Sequence, residues 1–152
     1  MTYDKEYWIS IIQDYGYEYI IGIPCSHIKE LFEVNSVPII IPSREDEAIG
    51  IAAGLSLGGK KTLIAIQSSG YSHCINAIET LIVPYRINID MLISCRNGIL
   101  EENPVQAIMG DFVVNSINLL GVKIYFESEY DDLRKNFDLF DDNFTNIVLK
   151  GV

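Results

Sequence analysis

The chain is short of cysteine, of cationic side chains and of long apolar runs, and each shortage closes off a class of protein. No stretch of the 152 residues approaches the apolar length that spans a bilayer, so a membrane protein is not expected. The opening MTYDKEYW is charged and has no apolar core, so no secretory signal is expected there. Cys25, Cys74 and Cys95 are too few and too scattered for a disulfide framework or a CxxC metal site. Buried, inert thiols in a reduced, cytoplasmic protein are the expectation. Neither His27 nor His73 has a metal-ligand partner at a useful spacing. Lysine and arginine number 11 against 21 aspartates and glutamates, which leaves a net charge of −10. A field of that sign repels phosphate backbones and anionic lipid, so neither nucleic acid nor a membrane is an expected partner; a small local anion site is still allowed.

What is present is an alternation. Short β-branched runs, YIIGI (19–23), PIII (38–41), TLIAI (62–66), DMLIS (90–94), VKIYF (122–126) and NIVLK (146–150), are apolar on both faces, as strands buried between helix layers are. Helical patterns lie between them near 3–14, 26–33, 44–57, 71–83, 104–119 and 130–139. Repeated to the end of the chain, this predicts one domain over 1–152: a three-layer α/β/α fold on a mainly parallel six-stranded sheet. Gly58-Gly59 is expected to end the third helix with left-handed backbone, and Pro84 to close the fourth.

The polar clusters fall at one edge. PCSH (24–27), PSRE (42–45), QSSG (67–70) and SCRNG (94–98) each follow a strand, where open α/β sheets bind ligands. Helix N-termini point to the same edge and leave backbone N–H groups free. In PSREDEAIGIAAG, Ser43 and Asp46 fit a capping pattern, and acids in a first helical turn gain about 0.3–1 kcal/mol from the dipole. That account suffices for Asp46. Glu45 stands at the mouth of a helix that is apolar nearly all round, and two readings stay open: a further cap, or a buried acid that needs a partner.

Glu45 with the AAG that ends at Gly54 resembles the glutamate segment of the pyrimidine-binding (PYR) domain of thiamine-diphosphate enzymes. The strings GIPCSHIKELF, SREDEAIGIAAGLSLGGKKTLIAIQSSG, INAIETL, MLISCRNG and VQAIMG resemble, collinearly, the family of sulfopyruvate decarboxylase alpha subunits and phosphonopyruvate decarboxylases. The resemblance implies that Glu45 hydrogen-bonds a ring nitrogen of the cofactor's aminopyrimidine, and that the cofactor carries the decarboxylation of a small anionic 2-oxo acid. It implies that Gln67, Ser69, Gly70 and Asn76 line the cofactor pocket, with Pro24, Cys25, Ser26 and His27 on the substrate side. Ser68 stands where the family writes asparagine in QNSG, and Tyr71 to His73 stand where it writes LGN. These departures bear on substrate choice. His73 has two readings, a contact with substrate or water and a structural histidine. Arg96 has two as well, a ligand for the substrate's anionic group and a surface arginine paired with Glu101 or Glu102.

The family holds the cofactor's diphosphate through Mg²⁺ on a separate domain carrying a G-D-G motif and a later Asn-Asn pair. Here MGDF supplies Gly110 and Asp111, but Phe112 replaces the second glycine and no Asn-Asn follows. No Walker or GxGxxG pattern takes its place. The resemblance thus implies a hetero-oligomer in which a second (beta, PP-domain) chain supplies the diphosphate half. A non-catalytic, flavodoxin-like binding or regulatory subunit is the alternative.

Overall fold

The structure, a computed structural model, describes residues 3–95, 104–127, 132–142 and 145–150, with backbone alone at 106, 107 and 111. The β-branched runs form six strands: β1 (Tyr19–Gly22), β2 (Ile39–Ile40), β3 (Thr62–Gln67), β4 (Asp90–Ser94), β5 (Lys123–Phe126) and β6 (Asn146–Lys150). They make one sheet in the order β2-β1-β3-β4-β6-β5, with every neighbouring pair parallel. Because side chains alternate along a strand, each one feeds two cores. On one face Ile64, Ile66, Met91 and Ile93 pack against helices α2 (Glu45–Leu57), α3 (Ser68–Ala77) and α5 (Pro104–Leu119). On the other, Leu63, Ala65, Leu92 and Val148 pack against α1 (Lys5–Tyr15), a 3-10 turn (Lys29–Glu33) and the short α6 (Arg134–Phe137). That is the expected three-layer architecture.

Strand order locates the crevice. From β1 the chain crosses to β2 on one side through the 3-10 turn, then returns across through α2 to β3 on the other side of β1. The two crossovers lie on opposite faces, so the sheet has a switch point between β1 and β3, where an open α/β sheet leaves a crevice at its carboxyl edge. Gly22 ends β1 there with φ 151°. A Cβ at Gly22 would stand 2.8 Å from the carbonyl carbon of Ala65 on β3 and closer still to its oxygen. Backbone cannot yield there without breaking the β1–β3 ladder. Gly22→Ala is therefore expected to destabilise the fold by on the order of 3 kcal/mol, read as a fall in melting temperature of roughly 10 °C.

Several local expectations are corrected. Helix α2 starts at Glu45 with Arg44 as N-cap, and neither Ser43 nor Asp46 makes the capping bond. Instead the Ser43 N–H donates to Glu47 Oε2 at 2.9 Å, while Asp46 pairs with the exposed Arg44 at 3.0 Å. The helix does end at Gly58-Gly59 as expected, with Gly59, at φ 76°, as the left-handed residue. Pro84 does not stop its helix. The chain passes from α3 through a π-helical turn (Ile78–Ile82) into α4 (Val83–Tyr85), with Pro84 inside it, and ends on Arg86 at φ 52°. The widened turn accommodates a residue that has no N–H and a bulky ring. The segment 132–139 is rich in acidic residues yet contributes to the core. Leu133 and Phe137 are buried, and the Tyr7 hydroxyl of α1 donates to Asp132 at 2.7 Å.

Candidate functional site

At the carboxyl edge β3 runs into α3 without a loop: Gln67 is both the last strand residue and the helix N-cap. The first turn of α3 therefore lies at the carboxyl edge, where helix N–H groups have no partner within their own helix. The Gln67 side-chain amide donates to Ser69 Oγ at 2.8 Å, which holds both at the rim. Ser68 is buried. Ser94, paired with Gln67 in register, ends β4 with a buried hydroxyl that has no hydrogen-bond partner among the described residues.

Glu45 enters this edge from α2. Its side chain is 17% exposed, and its one hydrogen-bond partner among the described residues is His73, whose Nδ1 lies 3.1 Å from Oε2. Gly70 is the floor beneath it. A Cβ at position 70 would stand 2.5 Å from Cδ and Cγ of Glu45 and nearer still to Oε1. Gly70 and His73 are three residues apart and so share one face of α3. That face carries the glutamate: the absent side chain makes the space and the imidazole fixes the carboxylate. The two readings left open by the sequence resolve in favour of a partnered acid. Nothing in the sequence spacing announced the pairing, since Glu45 and His73 are 28 positions apart on different helices; the i, i+3 relation of Gly70 and His73 was its one local trace.

No hydrogen bond or ion pair among the described residues joins the remaining candidates to this pair. Pro24, Cys25, Ser26 and His27 follow β1 on the near side of the crevice. Pro24 and Ser26 are exposed, Cys25 and His27 half-buried, and the Cys25 carbonyl accepts from the Ile28 N–H at 3.1 Å. Asn76 is exposed one turn beyond His73 on α3, and its carbonyl accepts from the Thr80 hydroxyl at 2.7 Å. Arg96 lies outside the described residues. All three cysteines are free; Cys74 and Cys95 are buried, and burial pushes each thiol up to about 12. They are therefore inert as nucleophiles. Among the described residues no three histidine, cysteine, aspartate or glutamate side chains converge as a metal site, and no helix is long and apolar enough to cross a membrane.

The arrangement suits a planar, nitrogen-bearing ring. A carboxylate offers one hydrogen-bonding edge above a floor without a side chain, at the first turn of α3. Such donors and acceptors fit an aminopyrimidine; they do not form a cage for a magnesium diphosphate.

Solved structures with this fold include enzymes. Benzoylformate decarboxylase from Polynucleobacter necessarius superposes with a TM-score of 0.73 at 16% identity, over 99% of this chain and 30% of that one. An enzyme from Mycobacterium smegmatis, assigned as thiamin diphosphate-dependent, does so with a TM-score of 0.70 at 15% identity, again over 99% and 30%. The chain thus has the three-layer α/β/α fold found within such decarboxylases, and it spans under a third of each. Sequence takes the assignment further, although no family model matches. The alpha subunit of sulfopyruvate decarboxylase from Methanocaldococcus jannaschii is 36% identical over 118 residues, covering 75% of this chain and 70% of that protein. The sulfopyruvate decarboxylase of Methanosarcina acetivorans is 32% identical over 151 residues, 95% of this chain but 39% of its own. This chain belongs to the sulfopyruvate decarboxylase alpha-subunit family.

Proposed function

We propose that this chain is the pyrimidine-binding subunit of a thiamine-diphosphate-dependent 2-oxo acid decarboxylase, folded as a single PYR-type domain over 1–152. Its substrate is sulfopyruvate or phosphonopyruvate, and the products are the substituted acetaldehyde and carbon dioxide. It works in a cytoplasmic hetero-oligomer whose second chain, carrying G-D-G and Asn-Asn, holds the diphosphate through Mg²⁺. The observation that carries this reading is Glu45: a largely buried carboxylate over the bare Gly70, at the switch-point crevice, with one neutralisable partner.

When bound, the cofactor supplies the electron sink that a 2-oxo acid needs to lose carbon dioxide. The chain's own residues do the rest of its half. Glu45 accepts or shares the proton of a ring nitrogen and so fixes which nitrogen of the pyrimidine is basic. Gly70 leaves room for the carboxylate. Gln67 and Ser69 present amide and hydroxyl groups beside it, and Asn76 extends that rim. The resemblance puts the Pro24–His27 loop on the substrate side and gives Arg96 as a ligand for the substrate's anionic group, since a guanidinium suits a carboxylate, sulfonate or phosphonate.

A second chain is supported by what this one leaves uncovered. Helix α2 buries Ala48, Ile49, Ala52 and Ala53, yet its opposite face exposes Gly50, Gly54 and Leu57. Helix α5 exposes Val105, Ile108, Phe112 and Leu119 along one stripe. Apolar surface of that kind marks an interface. The Methanocaldococcus relative is named as an alpha subunit, and the Methanosarcina relative carries more than half its length beyond the matched part.

The test is reconstitution. The chain is co-expressed with a G-D-G/Asn-Asn partner, and carbon dioxide release from sulfopyruvate and phosphonopyruvate is followed with and without thiamine diphosphate and Mg²⁺. Turnover is expected only with both chains and the cofactor. Full activity of this chain alone would refute the shared site, and a folded, cofactor-loaded complex inert on both acids would refute the decarboxylase reading.

A further inference from the structure

The two oxygens of the Glu45 carboxylate have different surroundings. Oε2 lies 3.1 Å from His73 Nδ1. Oε1 is the atom of Glu45 nearest the place of a Cβ at Gly70, and it has no hydrogen-bond partner among the described residues. A carboxylate only accepts hydrogen bonds, so the proton in the contact belongs to the imidazole and Nδ1–H is the donor. Burial by itself would leave the carboxylate free to turn, because the last torsion of a glutamate is broad and two-fold. One donor on Oε2 removes that freedom and keeps the lone pairs of Oε1 unused. The donor is the ring nitrogen bonded directly to Cγ. An asparagine amide nitrogen has the same place on its side chain, and asparagine is what the resemblance writes at position 73. The other ring nitrogen, Nε2, is one atom further out and matches the amide nitrogen of glutamine. The contact with Glu45 thus calls for a donor on the δ atom, which histidine and asparagine share and leucine, with methyl groups there, lacks.

We propose that His73 is a positioning residue for Glu45: its Nδ1–H anchors Oε2 and leaves Oε1 as the oxygen that meets the ring nitrogen. His73 then acts through Glu45 and touches neither substrate nor cofactor. It shares a helix face with Gly70, so one turn of α3 supplies both the space for the carboxylate and the bond that orients it. This role rests on the reading of Glu45 given above.

The assembled complex tests it with His73→Asn, His73→Leu and His73→Gln beside the unaltered chain. The side chain is 53% exposed, so every variant is expected to keep the melting temperature. For His73→Leu the Kd of thiamine diphosphate with Mg²⁺, measured by calorimetry, is expected to rise about tenfold or more. Its kcat is expected to fall about 10–10²-fold, with KM for the 2-oxo acid held. His73→Gln, whose donor sits one atom too far out, is expected to behave like His73→Leu, and His73→Asn to restore most of both losses. Adding His73→Leu to Glu45→Gln is expected to cost little more than Glu45→Gln alone. The inference alone is overturned by a His73→Leu complex as good as the original, by no rescue from asparagine, by rescue from glutamine, or by a rise in KM with kcat kept, which would put the imidazole on the substrate. A melting temperature that falls in step with the lost function overturns it too. A complex that binds no thiamine diphosphate, or whose Glu45→Gln form is unimpaired, overturns the reading of Glu45 and the inference with it.

Discussion

Glu45→Gln in the assembled enzyme is expected to lower kcat by about 10²–10⁴-fold, the usual worth of a positioned acid–base group. Glutamine has nearly the same shape, fits over Gly70, and keeps an oxygen that can accept from His73. What it loses is the ability to take up or share a proton with a ring nitrogen. The change therefore isolates protonation from packing. Because Glu45 makes no contact that holds the core together, the melting temperature should move little, and KM for the 2-oxo acid should move less than kcat. Steady-state decarboxylation at saturating cofactor measures the effect. A folded Glu45→Gln complex that turns over at the original rate would remove the catalytic assignment.

Gly70→Ala is expected to separate function from stability even more sharply. The added methyl would stand 2.5 Å from Cδ and Cγ of Glu45, so one of the two must move. The obstacle is a side chain rather than backbone, and Glu45 can swing away. Alanine also gains up to about 1 kcal/mol over glycine inside a helix. The fold should therefore be as stable as before or slightly more so, in contrast to Gly22→Ala, whose methyl meets backbone. Function should not survive the swing. Displacing a catalytic carboxylate by an ångström costs roughly 10²-fold, so the role proposed for Glu45 should be lost with it. Thiamine diphosphate affinity and kcat should both fall, with the melting temperature unchanged. The double variant Gly70→Ala/Glu45→Gln should be scarcely worse than the poorer single one, since both changes act on one carboxylate. Additive losses would show that Gly70 acts elsewhere.

The pairing of these two residues shows which parts of the site are legible in a sequence. Glu45 was marked by its setting, a surplus of acid before an apolar helix, and Gly70 by its place after a strand. Their contact was not marked, because it depends on α2 and α3 lying side by side on the same face of the sheet. The capping residue was misassigned for a related reason. Ser43 and Asp46 have the right spacing, but Arg44 claims Asp46, and Glu47 reaches back in its place. Spacing shows which side chains are within reach, and competition among neighbours decides which of them bond. The apolar character of α2 also divides in two. The inward half is core, while Gly50, Gly54 and Leu57 face outward, bare in a single chain.

The sequence by itself determined the class of fold: six runs apolar on both faces, alternating with helical periods, leave few arrangements other than a parallel sheet between helix layers. It determined the edge at which the polar clusters collect, since those clusters follow each of the first four strands. The tertiary structure decided strand order, and with it the crevice between β1 and β3. It also brought His73 to Glu45 and placed a bare glycine beneath them. The physical reason is range. Side-chain periodicity acts within a few residues and is written in the order of the letters, whereas strand neighbours and helix contacts are selected by packing over the whole chain.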